Sequence, residues 1–241
     1  MKRLKAFLGL VTLCAVGVGA APSAASGISA HPPITRVRAG TSTNWSGYAA
    51  SGSAGSFTNV AGTWTQPSVQ CNSQSTYSAY WVGIDGDTTS TVEQLGTEGD
   101  CSNGSARYYA WFEMYPHPGY YAPITVTPGH SYHASVSFVG AGSYRLTLAD
   151  TNTGQSFATT QKLPSAKRAS AEAIVEAPSS GGVLPLANFG TATFAGVSAN
   201  GAALATFNPE PITMVNSSGA VKAAPSAISG GSFSVKWYAS T

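Results

Sequence analysis

The sequence predicts an all-β protein whose strands pair antiparallel, in a sandwich or a jelly roll. Runs of Ser, Thr, Val, Tyr and Phe alternate with Gly, Pro and Asn, which is typical of short strands separated by turns. Segment 142–150 alternates strictly, with Tyr144, Leu146 and Leu148 on one face. Helix signals are poor, and short strands joined by turns favour an antiparallel sheet over a parallel one.

Ten segments carry the strand pattern. In order along the chain they are 57–65, 76–85, 90–95, 106–115, 131–139, 142–150, 155–162, 170–177, 191–198 and 232–239. The residues between the sixth and seventh segments, Asp-Thr-Asn-Thr-Gly, predict a hairpin turn. One helical element is compatible with the sequence, but the pattern assigns it no position.

The composition excludes several classes of protein. Of the 241 residues, 9% are charged and 43% are hydrophobic, and the formal net charge is +2. A disordered chain would combine low hydrophobicity with high net charge. A nucleic-acid-binding protein would carry a strongly basic face, so no nucleic-acid partner is expected. A long coiled coil would need abundant Glu, Lys and Leu.

The N-terminal 30 residues predict a secretory signal peptide, with cleavage between about 21 and 30. Three basic residues within the first five precede an apolar run over 6–21 that ends in small residues. An N-terminal membrane anchor is the alternative, although the run is shorter than the ~20 apolar residues that a spanning helix needs. The protein is therefore expected to be secreted and extracellular, without membrane contact after cleavage.

The rest of the chain is interpreted as one domain behind a short leader. Residues 31–43 are small, polar and Pro-containing, and predict a leader or pro-segment. Residues 44–241 suit a single all-β domain, because such domains commonly remain undivided at this length. Cys71 and Cys101 remain after signal removal and predict one disulfide, which is the simplest state for two cysteines in a secreted chain. Two buried free thiols are the alternative.

The carboxylates are the informative positions because there are only ten, and several fall inside apolar strands. An ionised group there is costly unless it has a partner. In the segment 80–87, Trp81, Gly83 and Asp85 share one face of a strand. An aromatic ring, a gap and a carboxylate together suit a substrate groove. The opposite face, with Tyr80 among its residues, predicts core.

A second stripe lies on segment 107–116, where Tyr109, Trp111, Glu113 and Tyr115 share a face. Such aromatic stripes more often pack against a core than bind a ligand. The carboxylate inside this stripe favours a groove.

The third segment, 170–178, places Glu172 and Glu176 on one face, ~13 Å apart along a strand. That separation exceeds the carboxylate spacing of glycosidases, so one of them must act alone or with another strand. Exposure of both to solvent is the alternative.

Gln94, on segment 90–95, shares a face with Val92, and an ordinary solvated strand residue is its alternative interpretation.

Four motifs occur in an order that resembles the glutamic peptidases (eqolisins), a family of secreted acid endopeptidases. They are Asn44-Trp-Ser-Gly-Tyr, Trp81-Val-Gly-Ile-Asp-Gly-Asp with a following Gln, Ala110-Trp-Phe-Glu-Met-Tyr-Pro and Ala171-Glu-Ala-Ile-Val-Glu. The resemblance covers residue 44 to the C-terminus. It implies an antiparallel two-sheet β-sandwich, jelly-roll-like, with a concave substrate groove.

The resemblance also implies roles for individual residues. Gln94, identified by the Leu-Gly that follows it, and Glu176 match the catalytic Gln and Glu of the family. Five further residues match positions that line or support the groove and are expected to bind substrate: Trp45, Trp81, Asp85, Trp111 and Glu113.

The chemistry of this Glu/Gln pair predicts peptide-bond hydrolysis in acid. An ionised Glu176 can take a proton from water, and Gln94 can stabilise the tetrahedral oxygen. No metal and no other cofactor is expected, and the partners are polypeptide substrates of a monomeric enzyme. Because a Glu is half-ionised near its ordinary pKa of ~4.3, the pH optimum is expected to be acidic. A carbohydrate-active jelly roll and an inert binding module are the competing hypotheses, since aromatic stripes and carboxylates suit a sugar groove equally well.

Overall fold

The computed structural model describes residues 28–241, which form 17 strands and one short 3-10 helix. The strands are β1 Arg36–Arg38, β2 Thr41–Ser42, β3 Trp45–Ser51, β4 Asn59–Thr65, β5 Ala79–Ile84, β6 Val92–Ser102, β7 Ser105–Tyr115, β8 Tyr120–Ala122, β9 Ser131–Gly140, β10 Ser143–Asp150, β11 Ser156–Lys162, β12 Ser170–Glu176, β13 Thr191–Ala199, β14 Ala202–Ala203, β15 Glu210–Val215, β16 Val221–Pro225 and β17 Phe233–Trp237. The helix spans Leu204–Phe207. None of the helical structure in residues 28–241 has the length and apolar character that crossing a membrane requires.

The strands form two layers. The first layer, here called the groove sheet, has the strand order β15-β3-β12-β5-β6-β7-β8, and all its pairs are antiparallel. The second layer, the outer sheet, has the order β11-β10-β9-β4-β13-β17-β16-β15-β2-β1. Strand β15 belongs to both, because Glu210–Ile212 pairs with β3 and the next residues pair with β2 and β16. The predicted two-sheet β-sandwich is therefore confirmed.

The main core lies between the two sheets. Alternate residues of each strand face it, as the period of two requires. On β5 these are Tyr80, Val82 and Ile84, and on β10 they are the predicted Tyr144, Leu146 and Leu148.

All ten predicted strand segments contain strands. A strand end that differs from the prediction, in β6, and an unpredicted strand, β3, have local causes. Strand β6 extends to Ser102, well past the predicted end at residue 95. Strand β3 was not predicted, because its first six residues are buried on both faces and so lack the polar alternation that marks a half-buried strand. The short strands β1 and β2 lie within the predicted leader, and β2 pairs in parallel with β15. The fold therefore begins before residue 44.

Two further sequence predictions concern the disulfide and the N-terminal residues. Cys71 and Cys101 form the predicted disulfide, which joins the loop after β4 to the end of β6 across a separation of 30 residues. The predicted signal peptide lies mostly in residues 1–27, outside the described residues.

Candidate active site

An aromatic floor lies on the face of the groove sheet that points away from the main core. Because successive side chains alternate, β5 presents Trp81 here and β7 presents Tyr109 and Trp111. Trp45 from β3 packs edge-on against Trp81 at 4.9 Å between ring centroids. The aromatic stripe of the sequence is thus a second apolar surface, separate from the core.

Residues 28–34, here called the groove segment, lie against this floor. Ile28 and Ile34 pack onto the aromatic cluster. Ala30 exchanges two backbone hydrogen bonds with Ser179, at 2.8 and 2.9 Å, and the Ile34 N–H donates to the Gly86 carbonyl. The segment is therefore held along the groove by backbone hydrogen bonds at both ends.

Glu176 ends strand β12, opposite Trp45 on β3 and Ala79 on β5. Its Oε2 accepts the Trp81 indole N–H at 2.8 Å, and its Oε1 accepts from the Asn44 amide at 3.3 Å. The side chain is fully buried. Burial raises the pKa of Glu176 well above its ordinary value, and the charge of His31 opposes that rise. With the groove segment in place, burial therefore favours the protonated form of Glu176.

Gln94 lies on β6, opposite Gly83 on β5 and Glu113 on β7. Its Nε2 donates to the His31 carbonyl at 2.6 Å and to Glu113 Oε2 at 3.1 Å. Its Oε1 is buried and has no hydrogen-bond partner among the described residues. The amide thus has an engaged donor end and an enclosed acceptor end.

Two glycines make room for this arrangement. A Cβ on Gly83 would lie 2.8 Å from the Trp81 ring and 3.2 Å from Gln94 Cβ. A Cβ on Gly96 would lie 2.2 Å from the Tyr80 carbonyl oxygen. The gap that the sequence predicted beside Trp81 therefore lets the ring and the Gln94 side chain pack over the same strand.

Gln94 and Glu176 flank β5 on opposite sides and do not hydrogen-bond to each other among the described contacts. The groove segment connects them. Gln94 holds the His31 carbonyl, while the Trp45 indole N–H donates to the Pro32 carbonyl at 3.2 Å. Asn44, which contacts Glu176, also donates to the Pro33 carbonyl at 3.2 Å. The stretch from His31 to Pro33 therefore reaches from Gln94 to Asn44, the hydrogen-bond partner of Glu176.

Glu113 and Trp111 contact His31 directly. Glu113 Oε2 accepts the His31 backbone N–H at 2.9 Å. The imidazole stacks on Trp111 with 3.5 Å between centroids and 5° between planes. Trp45, Trp81, Trp111 and Glu113 thus all contact either the groove segment or Glu176.

Asp85 lies elsewhere than the sequence predicted. Strand β5 ends at Ile84, and Asp85 adopts a left-handed φ of 70°, so the alternation that would place it beside Trp81 stops there. Its two oxygens accept the backbone N–H groups of residues 167–169 at 2.7–2.8 Å. Asp85 therefore supports the groove by fixing the loop before β12.

Sequence reasoning missed three residues of the site. Glu98 was missed because β6 was predicted to end at 95, although the alternation Gln94, Gly96, Glu98 could have indicated it. Asn44 was noted only as part of a motif. His31 was assigned to the leader, and no local pattern connects it to the groove.

Comparisons with known proteins show the family to which this fold belongs. Residues 43–237 match the family model described as the Peptidase A4 family. Scytalido-glutamic peptidase, solved with a transition-state analogue inhibitor, shares 27% identity at a TM-score of 0.71, and the match covers 81% of this chain and 98% of that one. SCP-B, a member of the eqolisin family solved with the tripeptide Ala-Ile-His, shares 27% identity at a TM-score of 0.66 over the same shares of the two chains.

A third similar structure is aspergilloglutamic peptidase from Aspergillus niger, at 29% identity and a TM-score of 0.57. That match covers 68% of this chain and 99% of the other. A comparison with curated protein sequences gave no match.

The chain therefore belongs to the Peptidase A4 family, and the predicted glutamic-type peptidase is confirmed. The same match favours the peptidase over the carbohydrate-active and inert alternatives.

Proposed function

We propose that this protein is a secreted endopeptidase that hydrolyses peptide bonds in polypeptides at acidic pH, with Glu176 and Gln94 as its catalytic pair. The observation that carries the proposal is the 2.6 Å hydrogen bond from Gln94 Nε2 to the His31 carbonyl. A peptide carbonyl in this position has an oxyanion donor already aimed at its oxygen.

The proposed reaction needs only water and these two side chains. Ionised Glu176 takes a proton from water, and the water oxygen bonds to the carbonyl carbon. Gln94 donates to the tetrahedral oxygen as its negative charge develops. Protonated Glu176 then gives its proton to the amide nitrogen, the C–N bond breaks, and a carboxyl and an amine terminus are released.

The pKa of Glu176 connects this mechanism to pH. Burial raises it while the groove segment covers the site. When the segment leaves, water enters the groove, the burial is relieved, and the pKa falls toward that of an ordinary carboxyl. The general base is then ionised in acid, which supports the acidic optimum.

The groove segment supports the interpretation of residues 31–43 as part of a pro-segment. It lies along the floor as a substrate would, and two related structures contain a transition-state analogue and a tripeptide. Its Pro32-Pro33 pair is conformationally restricted, which lowers the entropy cost of docking. A synthetic peptide of residues 28–34 is expected to inhibit the purified enzyme competitively. Absence of inhibition at millimolar peptide would contradict the pro-segment interpretation.

The catalytic proposal is tested with Glu176→Gln and Gln94→Ala on an acid-denatured protein substrate. Each variant is expected to lower kcat by on the order of 10²-fold or more, because one loses the base and the other the oxyanion donor. Circular dichroism provides the control for folding. Near-wild-type kcat in either folded variant would refute the catalytic pair.

Secretion and a monomeric state are also parts of the proposal. N-terminal sequencing of protein recovered from the medium is expected to give a start after residue 21. Light scattering is expected to give the mass of one chain.

A further inference from the structure

The His31 side chain fills a defined slot in the groove. One face of its ring stacks on Trp111. Its Nε2 lies 3.2 Å from Glu98 Oε2, and its Nδ1 lies 3.4 Å from Glu113 Oε2. All four side chains are buried. The slot therefore offers a flat aromatic wall and one carboxylate at each nitrogen of the imidazole.

This slot favours a cation. Burial by itself lowers the pKa of His31, but hydrogen bonds and charge from Glu113 and Glu98 outweigh it and raise the pKa to about 10. The ring is thus an imidazolium with an N–H on each nitrogen. A cation over an indole face gains further attraction from the ring quadrupole.

The backbone of the same residue is held at the reacting position. The His31 carbonyl accepts from Gln94, and its N–H donates to Glu113. A residue bound this way supplies the carbonyl that the catalytic pair attacks. Its side chain lies in the slot between Glu98 and Glu113.

We infer that Glu98, Glu113 and Trp111 form the subsite for the residue that supplies the scissile carbonyl, and that this subsite selects histidine. The inference rests on the proposed function. Histidine matches the slot in three respects: it is flat, it is cationic in acid, and it carries N–H donors on two separate edges. Phenylalanine would stack equally well but would leave Glu98 buried without its partner, while Glu113 would keep only the Gln94 amide and the backbone N–H.

Sites that hydrogen-bond a substrate group reject analogues that lack it more strongly than apolar pockets reject a size change.

The test uses quenched-fluorescence peptides of one sequence that differ only at the residue before the cleaved bond, which is His, Phe, Leu or Lys. Pairs of peptides compete in one reaction at about pH 4, where free histidine is protonated. Because both peptides compete against the same groove segment, the ratio of their kcat/KM values does not depend on how much segment remains bound.

The His peptide is expected to exceed the Phe peptide by about 10–100-fold in kcat/KM. Mass spectrometry confirms that the same bond is cut in each. Peptides with Nδ1-methylhistidine or Nε2-methylhistidine keep the cation but lose one N–H. The Nε2-methyl peptide loses the hydrogen bond to Glu98 and is expected to lose at least about tenfold relative to His. The Nδ1-methyl peptide loses only the 3.4 Å ion-pair contact with Glu113 and is expected to lose less.

Variants assign the preference to the subsite. In Glu98→Gln the His-to-Phe ratio is expected to fall to about threefold or less, because one anion of the pair is gone. Glu210→Gln is the matched control, since its carboxylate lies at Arg36 and Gly40 and outside the slot. The ratio in Glu210→Gln is expected to equal that of the wild type.

The outcomes separate this inference from the catalytic proposal. If Glu176→Gln is inactive but Phe and Leu peptides are cut as well as the His peptide, the subsite inference is wrong and the catalytic pair stands. An unchanged His preference in Glu98→Gln also overturns the inference. The methylhistidine peptides need no variant, so they decide the question even if Glu98→Gln fails to fold.

Discussion

Two regions of the groove sheet bury carboxylates, and they differ in what those carboxylates contact. In the catalytic region, Glu98 and Glu113 contact the His31 cation and Glu176 accepts from an indole and an amide. At the β5–β6 turn, residues 85–91, the partners are different.

Asp85, at the start of this turn, accepts three backbone N–H groups. Two further carboxylates nearby, Glu93 and Glu172, have no hydrogen-bond partner on either oxygen among the described residues. Burial raises the pKa of Glu93 to about 10, with the Asp85 charge adding to the rise, and burial raises the pKa of Glu172 well above its ordinary value.

The difference shows that a buried carboxylate in an apolar strand is not by itself a functional signal. Glu172 and Glu176 lie on the same strand and face, and both are buried with raised pKa values. Only Glu176 is linked to the groove segment, through Asn44, which donates both to Glu176 and to the Pro33 carbonyl. This link to the groove segment, and not burial, separates the proposed catalytic glutamate from its neighbour.

The sharpest way to break this comparison is to neutralise each Glu of β12 in turn. Glu172→Gln is expected to keep kcat within about threefold of the wild type, while Glu176→Gln loses on the order of 10²-fold or more. Both substitutions remove one carboxylate from the same strand, so they are matched for shape. Equal losses of kcat in the two folded variants would show that the two glutamates are not functionally distinct.

The role of Asp85 gives the next largest effect. Asp85→Asn is expected to lower the free energy of unfolding by about 2–4 kcal/mol, because the backbone N–H groups of residues 167–169 lose a charged acceptor. Urea unfolding measures the loss. Glu210→Gln, which removes a partly exposed ion pair, is the control and is expected to cost no more than about 1 kcal/mol. If Asp85→Asn instead kept full stability and raised KM, a substrate-binding role would be supported.

The smallest expected effect is a change in how stability depends on pH. The folded-state pKa of Glu93 is raised above its unfolded value, so its contribution is complete in acid and is lost as pH rises toward about 10. Glu93→Gln is therefore expected to raise Tm by a few degrees near neutral pH and to leave it almost unchanged near pH 3. Thermal unfolding followed by circular dichroism at both pH values measures this. A Tm that falls equally at both would indicate a packing role for Glu93.

The raised pKa values of the buried carboxyl groups and the low charge content both affect how stable the protein is in acid. A protein with few ionised carboxylates in the folded state loses few ion pairs on acidification. Protonation of Glu93 and Glu172 favours the folded state, so we expect these two positions to support stability in acid rather than limit it.

Much of the fold followed from local sequence. Alternation at Tyr144, Leu146 and Leu148 fixed β10 and its buried face. Alternation failed for β3, because its residues are small and buried on both sides, and it failed at Asp85, because a left-handed residue ended the strand. Alternation with a period of two identifies a strand that has one solvent-exposed face. It gives no information about residues beyond the last extended residue of that strand.

The site was predicted in part. The motifs identified Gln94, Glu176 and the groove tryptophans. In the structure Gln94, Trp45 and Trp111 contact the groove segment, and Trp81 contacts Glu176. Glu98 was missed because the predicted end of its strand was too early. His31 was missed because it lies 63 residues before Gln94, its hydrogen-bond partner.

The sequence by itself determined the strand pattern, the family and the chemical types at the site. Those properties are local, because neighbouring residues encode a strand face or a motif. Only the tertiary structure decided that Glu98 and Glu113 converge on His31 and that the groove segment reaches from Gln94 to Asn44, the partner of Glu176. The reason is that antiparallel pairing joins distant strands, and the register of those pairs, which no single segment encodes, determines which side chains meet.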